Sequence, residues 1–434
     1  MRSISRVSLE TMVVSVLSRG FAMVGAIVVA RTLGPAGKGL LTYATSVLSL
    51  IIALFAGHTA AIAYQYGRRG MPLPSVYATM MKAYAIVIVP LAAAIALAAV
   101  LLPGQSPLLF VAAVLPFAAY VQSTRGFFLA DSEVRTANIQ ALVAPALFTV
   151  VGSVALIFFH ASLNALLLIF VLTYLPAAAY SGYKLKSLSS PRTGEADPKP
   201  LKSQLRFTVQ VGSVNFVNYL NNRVDLFIIL FVLGIKAVGV YSVAIGIAEI
   251  LWQLSGPVAI AAYGSIGTLN EADAAKLTAK CIRNTLPIAL VVSIGTFLLA
   301  PPLVRLLFGE QFAEAGYVMR YFLPGVIAWS VMYHINTFIT IQLGRPGTVL
   351  WIVAASATVC AASTLALVHK LGIASGAIGS SLGYLTGAPW AVMVFLRRSG
   401  ISGKQLIAFN RDDWRRYVEL FAWMRRGAQT VIAR

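Results

Sequence analysis

Long apolar runs separated by short polar turns set the rhythm of this chain. They fall at 9–30, 40–63 and 77–102, with a fourth ending near Arg125, then at 138–159, 164–183, 207–233, 237–262, 282–299, 317–343, 348–368 and 373–396. A helix needs about 20 apolar residues to cross the hydrocarbon core of a bilayer, and each run comes close to that length. The pattern predicts an all-α polytopic membrane protein with twelve transmembrane helices. Polar turns mark their ends. R-T-L-G-P-A-G-K-G lies between the first two runs and Arg68 with Arg69 after the second. Glu271, Asp273 and Lys276 form an inner loop before the ninth run, and P-P-L-V-R-L-L-F-G-E-Q-F-A-E-A-G forms the longest outer loop after it. The first run is long and no A-x-A site ends it, so it reads as a span and signal anchor.

The runs group into two sets of six. A polar, basic, Pro- and Ser-rich stretch separates the sets and reads as a mobile cytoplasmic linker. This gives an N-terminal six-helix bundle over 1–185, a linker over 186–204, a C-terminal bundle over 205–396 and a basic tail over 397–434. Leu33-Gly34, Gly39, Thr42 and Ala44 match Leu233-Gly234, Gly239, Ser242 and Ala244 at a constant offset of 200 residues. Both halves therefore start on the same side, as parallel repeats related by a pseudo-two-fold axis along the membrane normal, with a central cavity between them. In the tail, D-D-W-R-R-Y-V-E-L-F-A-W-M-R-R has the spacing of an amphipathic surface helix; a disordered or partner-binding segment is the competing reading.

Composition sharpens this picture. Charged residues make up only 11% of the chain and hydrophobic ones 59%, against about 25% charged in soluble domains. The formal net charge of +20 would suit nucleic acid, but the Lys and Arg residues concentrate in the tail and in alternate loops. That is the positive-inside asymmetry, which places both termini in the cytoplasm and indicates contact with anionic lipid, with no nucleic acid as partner. Cys281 and Cys360 sit in or beside apolar runs without metal-ligand spacing and read as packing residues.

No P-loop, zincin or nucleophile-elbow motif is present, so the chain is not expected to be an enzyme and no cofactor or metal is implied. The chemistry resides in polar side chains within spans, which persist mainly where they line a polar cavity. The densest cluster is N-F-V-N-Y-L-N-N-R-V-D at 215–225. On a continuous helix Asn215, Asn218, Asn222 and Asp225 share a face, flanked by Tyr219 and Arg223. Arg19 lies mid-span in the first run. Ser242, Gly246, Glu249 and Gln253 share a face of the eighth, and Ser330, Tyr333, His334, Thr337 and Thr340 one of the tenth. Arg19 suits phosphate; Asp225 and Glu249 are acidic residues well inside spans, and Asp225 reads as exposed to the cavity while Glu249 suits coupling to a proton or sodium gradient. Each also has a structural reading, as an ion pair, interhelical glue or a packing histidine.

Four stretches resemble a known family: A-R-T-L-G-P-A-G-K-G-L-L-T-Y-A, N-N-R-V-D-L-F-I-I-L, V-G-V-Y-S-V-A-I-G-I-A-E-I-L and L-L-F-G-E-Q-F-A-E-A-G-Y-V-M-R-Y-F-L-P-G. They look like the polysaccharide-type flippases of the multidrug/oligosaccharidyl-lipid/polysaccharide exporter superfamily. The resemblance implies two bundles that open alternately to either face. It implies a substrate of oligosaccharide on undecaprenyl pyrophosphate in a bacterial inner membrane, for O-antigen or exopolysaccharide synthesis, and a polymerase or other assembly protein as partner. On that reading Arg19 and Arg223 take the pyrophosphate, and Asn215, Asn218, Tyr219, Asn222 and Gln253 take the sugars, with His334 a further cavity residue. A cation-coupled small-molecule or multidrug exporter and a lipid II flippase are the alternatives. The lipid II branch is disfavoured because Glu249 stands where it carries a span-eight arginine.

Overall fold

The computed structural model describes residues 4–102, 104–188, 200–252, 266 and 269–408. The described residues are helical almost throughout. Helix Ile4–Ile62 is broken at Gly34 (φ 63°, ψ −170°) into α1 (4–33) and α2 (35–62), and α2 runs on through a π-helical turn, Ala63–Arg68. Then follow α3 (Leu73–Leu101), α4 (Pro107–Ala130), α5 (Val134–Phe158) and α6 (Leu163–Lys186). The second half holds α7 (Pro200–Asn221), α8 (Val224–Leu233), α9 (Ile235–Trp252), α10 (Glu271–Phe308), α11 (Ala313–Ile341), α12 (Pro346–Leu371) and α13 (Ala374–Ser399).

Nine of these helices are long and apolar enough to cross a membrane, ten if α7 and α8 form one bent span. The break at Gly34 splits the first of them, and α13, 26 residues long but less apolar than these, adds another, so twelve result among the described residues when α7 and α8 count as one. That the chain reverses at Gly34 follows from side-chain contacts. α1 runs alongside α5 in the same direction, with Asn138 donating to Thr11 at 2.9 Å and Thr149 to the Phe21 carbonyl at 2.9 Å. α2 runs parallel to α4, joined by Tyr43 to Gln105 at 2.6 Å and His58 to Ser123 at 2.9 Å. α4 and α5 are antiparallel neighbours, tied by Gln140 to Thr124 at 2.9 Å. α1 and α2 are therefore antiparallel too. Glycine makes the reversal possible because its positive φ excludes most side chains, and Pro35 then starts α2 with a preset φ.

The expected repeat is visible in the backbone. Gly234 turns α8 into α9 with φ 84° and ψ −177°, the counterpart of Gly34 two hundred residues earlier. The two copies also touch. A Cβ on Gly39 would overlap the Ile235 carbonyl, and one on Gly239 would overlap the Pro35 carbonyl. α2 and α9 thus cross backbone to backbone on the pseudo-two-fold, closing one end of the interface between halves. At the other, basic end α2 crosses α7. There Gly57 and Gly212 meet as closely, Tyr64 stacks on Phe207 at 5.4 Å, and Gln204 donates to Gln65 at 3.2 Å. Large apolar side chains such as Leu101, Phe158, Phe231 and Val291 stay exposed, as a surface facing acyl chains requires.

Several expected boundaries are corrected. The outer turn 31–39 is helical apart from Gly34, because the reversal needs only one residue. The expected loop 301–316 consists of the end of α10, a 3-10 turn at Glu310–Phe312 and the start of α11. Pro301 and Pro302 are accommodated inside α10. Glu271, Asp273 and Lys276 belong to the first turns of α10, capped by Asn270, whose side chain accepts from the Asp273 N–H at 2.9 Å. The run 207–233 is two helices bent by 53°, not one. α7 starts at Pro200, within the expected linker. Residues 189–199 of that linker, and the aromatic-basic segment of the tail, lie outside the described residues.

The glycine crossing generates a test. Gly39→Val is expected to lower stability by about 1–3 kcal/mol, the usual cost of overpacking. Gly347→Ala, with nothing within 4 Å of the added carbon, should be neutral. Thermal unfolding of the detergent-solubilised protein measures both.

Candidate functional site

Between the two glycine crossings the halves part around a chamber of about 210 Å³. Arg19 from α1, Lys38 and Ser46 from α2, Arg223 from the α7–α8 break, and Ser242, Gly246 and Glu249 from α9 line it. Three cations face one carboxylate there, so the lining is net positive. A second cavity of about 250 Å³ in the N-terminal half shares Lys38, Thr42 and Thr45 with it and extends to Phe170 and Tyr174.

The break that positions Arg223 has a local cause. Asn221 and Asn222 are poor helix residues, because their amides compete with the backbone for hydrogen bonds. Arg223 adopts φ −140° and ψ −4° at the N-cap of α8. This releases its side chain to Glu249, with Nη2 to Oε1 at 2.5 Å and both groups partly shielded. Lys38 donates to Thr42, one turn further along α2, at 3.2 Å. Tyr219 donates to the Ser46 carbonyl at 3.1 Å and so bonds one half to the other.

Asp225 lies elsewhere. With no solvent exposure, it sits in the first turn of α8, where a carboxylate suits the helix dipole. Its Oδ1 accepts from the Leu226 N–H at 2.7 Å, and its Oδ2 accepts from Ser380 at 2.7 Å and from Tyr241. Such enclosure by donors is what a buried carboxyl needs. The bend separates Asp225 from the asparagine stripe that a continuous helix would give it.

The remaining polar candidates divide. Asn218 and Asn222 line a further cavity of about 350 Å³ with Trp329, Tyr333 and Asn336 of α11, and Asn222 also accepts from Tyr384 at 2.7 Å. Asn215 lines neither this cavity nor the chamber and donates to its own helix at Val211, 3.3 Å away. His334 is buried within the second half, 3.0 Å from Thr285. Gln253 lies outside the described residues. Among the described residues no cluster of three or more His, Cys, Asp or Glu is placed to hold a metal.

Sequence reasoning missed Lys38 because it stands in a stretch that reads as a turn. The available signal was Pro35, which marks a helix start and puts Lys38 and Thr42 on one face. Trp329 and Asn336 were passed over as ordinary span residues, although they continue the face of Tyr333 and Thr340.

A family model described as polysaccharide biosynthesis protein matches residues 28–316. The chain belongs to that family. The match spans Lys38, Arg223, Glu249 and the crossing glycines, though not Arg19, and agrees with the flippase resemblance drawn from the motifs. No curated protein sequence matches. Among solved structures, the lipid II flippase MurJ in an inward closed conformation superposes with a TM-score of 0.72 at 11% identity, covering 95% of this chain and 96% of that one. An inward-facing multidrug resistance MATE family transporter of the MOP superfamily gives 0.69 at 15% identity, covering 89% and 96%. An outward-facing MATE structure gives 0.64 at 16%, covering 92% and 96%. The fold is therefore the one these structures share, two six-helix bundles about a central cleft.

The Arg223–Glu249 contact predicts charge-swap behaviour. Arg223→Glu and Glu249→Arg should each destabilise the protein, and the double swap should recover part of the loss. Thermal unfolding of the four proteins measures the coupling. Tyr241→Phe should cost about 1–3 kcal/mol by leaving Asp225 short of a donor, read in the same assay.

Proposed function

We propose that this chain is an alternating-access flippase. It moves undecaprenyl-pyrophosphate-linked oligosaccharide units across the bacterial inner membrane for O-antigen or exopolysaccharide synthesis, with both termini cytoplasmic. One observation carries the reading. In a member of a polysaccharide biosynthesis family, a net-positive chamber lies between two halves that meet at a glycine crossing on either side of it. A pyrophosphate is attracted to such a chamber and a cationic drug is repelled by it. Arg19, Lys38 and Arg223 take the phosphates, with the arginines matching phosphate geometry. Glu249 is the partner that an arriving pyrophosphate displaces from Arg223, and it ties the cycle to a proton or sodium gradient. Asp225, enclosed by its three donors, is the second candidate for that role. Differential affinity of the ligand for the two open states then drives the conformational exchange.

Deletion in the source cell should deplete surface polysaccharide and accumulate its lipid-linked precursor on the cytoplasmic leaflet. Arg19→Ala, Lys38→Ala and Arg223→Ala should each lower complementation by about tenfold or more, the scale of one lost charge-assisted hydrogen bond. Arg223→Lys should retain part of it. Unchanged polysaccharide together with raised resistance to cationic drugs would favour the exporter reading instead.

A further inference from the structure

The 350 Å³ cavity of the second half has no charged side chain on its wall. Three asparagines meet there, Asn218, Asn221 and Asn222, at the end of α7 and in the break after it. Opposite them stand Trp329, Tyr333 and Asn336, which share one face of α11 by their spacing. The rings of Trp329 and Tyr333 are stacked with centroids 4.7 Å apart, and Trp252 stacks behind Trp329 at 6.1 Å. The amides are under-used. Asn221 is only 4% exposed, yet its carbonyl oxygen has no hydrogen-bond partner, and neither has the buried carbonyl oxygen of Asn336. A buried acceptor left unpaired costs about 1–3 kcal/mol, which a ligand bearing hydroxyl donors recovers.

We infer that this cavity is a pyranose subsite. Tyr333, backed by Trp329, is the ring that meets the C–H face of a neutral sugar, and the three asparagines with Asn336 pair with the hydroxyls. Such a division, with an apolar platform and a few convergent polar groups, is how small-molecule sites of ~300–1,000 Å³ orient a ligand. The subsite adjoins the charged chamber through consecutive residues, since Asn222 lines one and Arg223 the other. On this assignment a sugar joined directly to a phosphate reaches from the chamber into the subsite, which reads the identity of that first sugar. This assignment rests on the chamber binding pyrophosphate.

Full-length protein in lipid nanodiscs, titrated by thermophoresis, tests it with two kinds of probe. One is farnesyl pyrophosphate; the other is farnesyl pyrophosphate bearing a single glucosyl, galactosyl or N-acetylglucosaminyl group. At least one glycosylated probe is expected to bind about tenfold more tightly than farnesyl pyrophosphate, the gain of one or two net hydrogen bonds and a ring contact. Trp329→Ala and Asn336→Leu should each erase most of that difference while leaving farnesyl pyrophosphate affinity within about twofold, and Trp329→Phe should preserve most of it. Should Trp329→Ala fail to fold, Asn336→Leu decides. No difference between probes in the wild type, or a difference that survives both substitutions, overturns the subsite and leaves the phosphate chamber standing. Farnesyl pyrophosphate that fails to bind, or binds equally well to Arg223→Ala, overturns the chamber reading and the subsite with it.

Discussion

Hydrocarbon offers a polar side chain no partner, and this single constraint arranges nearly everything in the protein. Hydroxyls within spans satisfy it locally: Thr45, Thr79, Thr124, Thr208, Thr278 and Thr337 each donate to the carbonyl four residues back. Amides satisfy it between helices, as Gln140 does among α4, α5 and α6. Charges have neither option and turn inward, where the halves leave room for them. The chamber is thus a consequence of where the arginines and lysine are permitted to be, as much as of how the bundles pack.

The twelve spans, their division into halves and the offset of 200 residues between repeats were legible in the sequence, because each depends on apolar length or on a short motif. Breaks were not. A helical wheel drawn through Phe207 to Leu233 aligns Asn218 with Asp225, but it assumes a straight axis, and Asn221-Asn222 bend that axis by 53°. Asp225 accordingly ends among Tyr241 and Ser380, two elements that no local pattern connects to it. Arg223 and Glu249 were both recognisable as polar residues in spans, yet their pairing depends on how α8 and α9 fold back at Gly234. The loop expected at 301–316 illustrates the opposite error. Its prolines and glycine argue for irregular backbone, and packing against α11 overrides them.

The halves share a backbone plan but not a chemistry. Two hundred residues after Arg19 stands Tyr219, after Lys38 stands Val238, and before Arg223 stands Met23. The fold is close to symmetric while the charge distribution is not. Two cations come from the first half, a cation and its carboxylate from the second, and the amide-lined cavity lies wholly in the second half. A ligand with one anionic end thereby meets a single preferred orientation inside a pseudo-symmetric shell.

The meeting of Gly39 with Gly239 carries a consequence for how the chain can vary. A contact on a two-fold axis is self-complementary, so each side presents what the other receives. Most tight interfaces tolerate an enlarged residue when its neighbour shrinks in compensation. Here both neighbours are already the smallest residue available, and the atoms they meet are backbone carbonyls. Neither position leaves its opposite any means of yielding, so a second-site suppressor of a change at one glycine must arise away from the crossing, by shifting a whole helix.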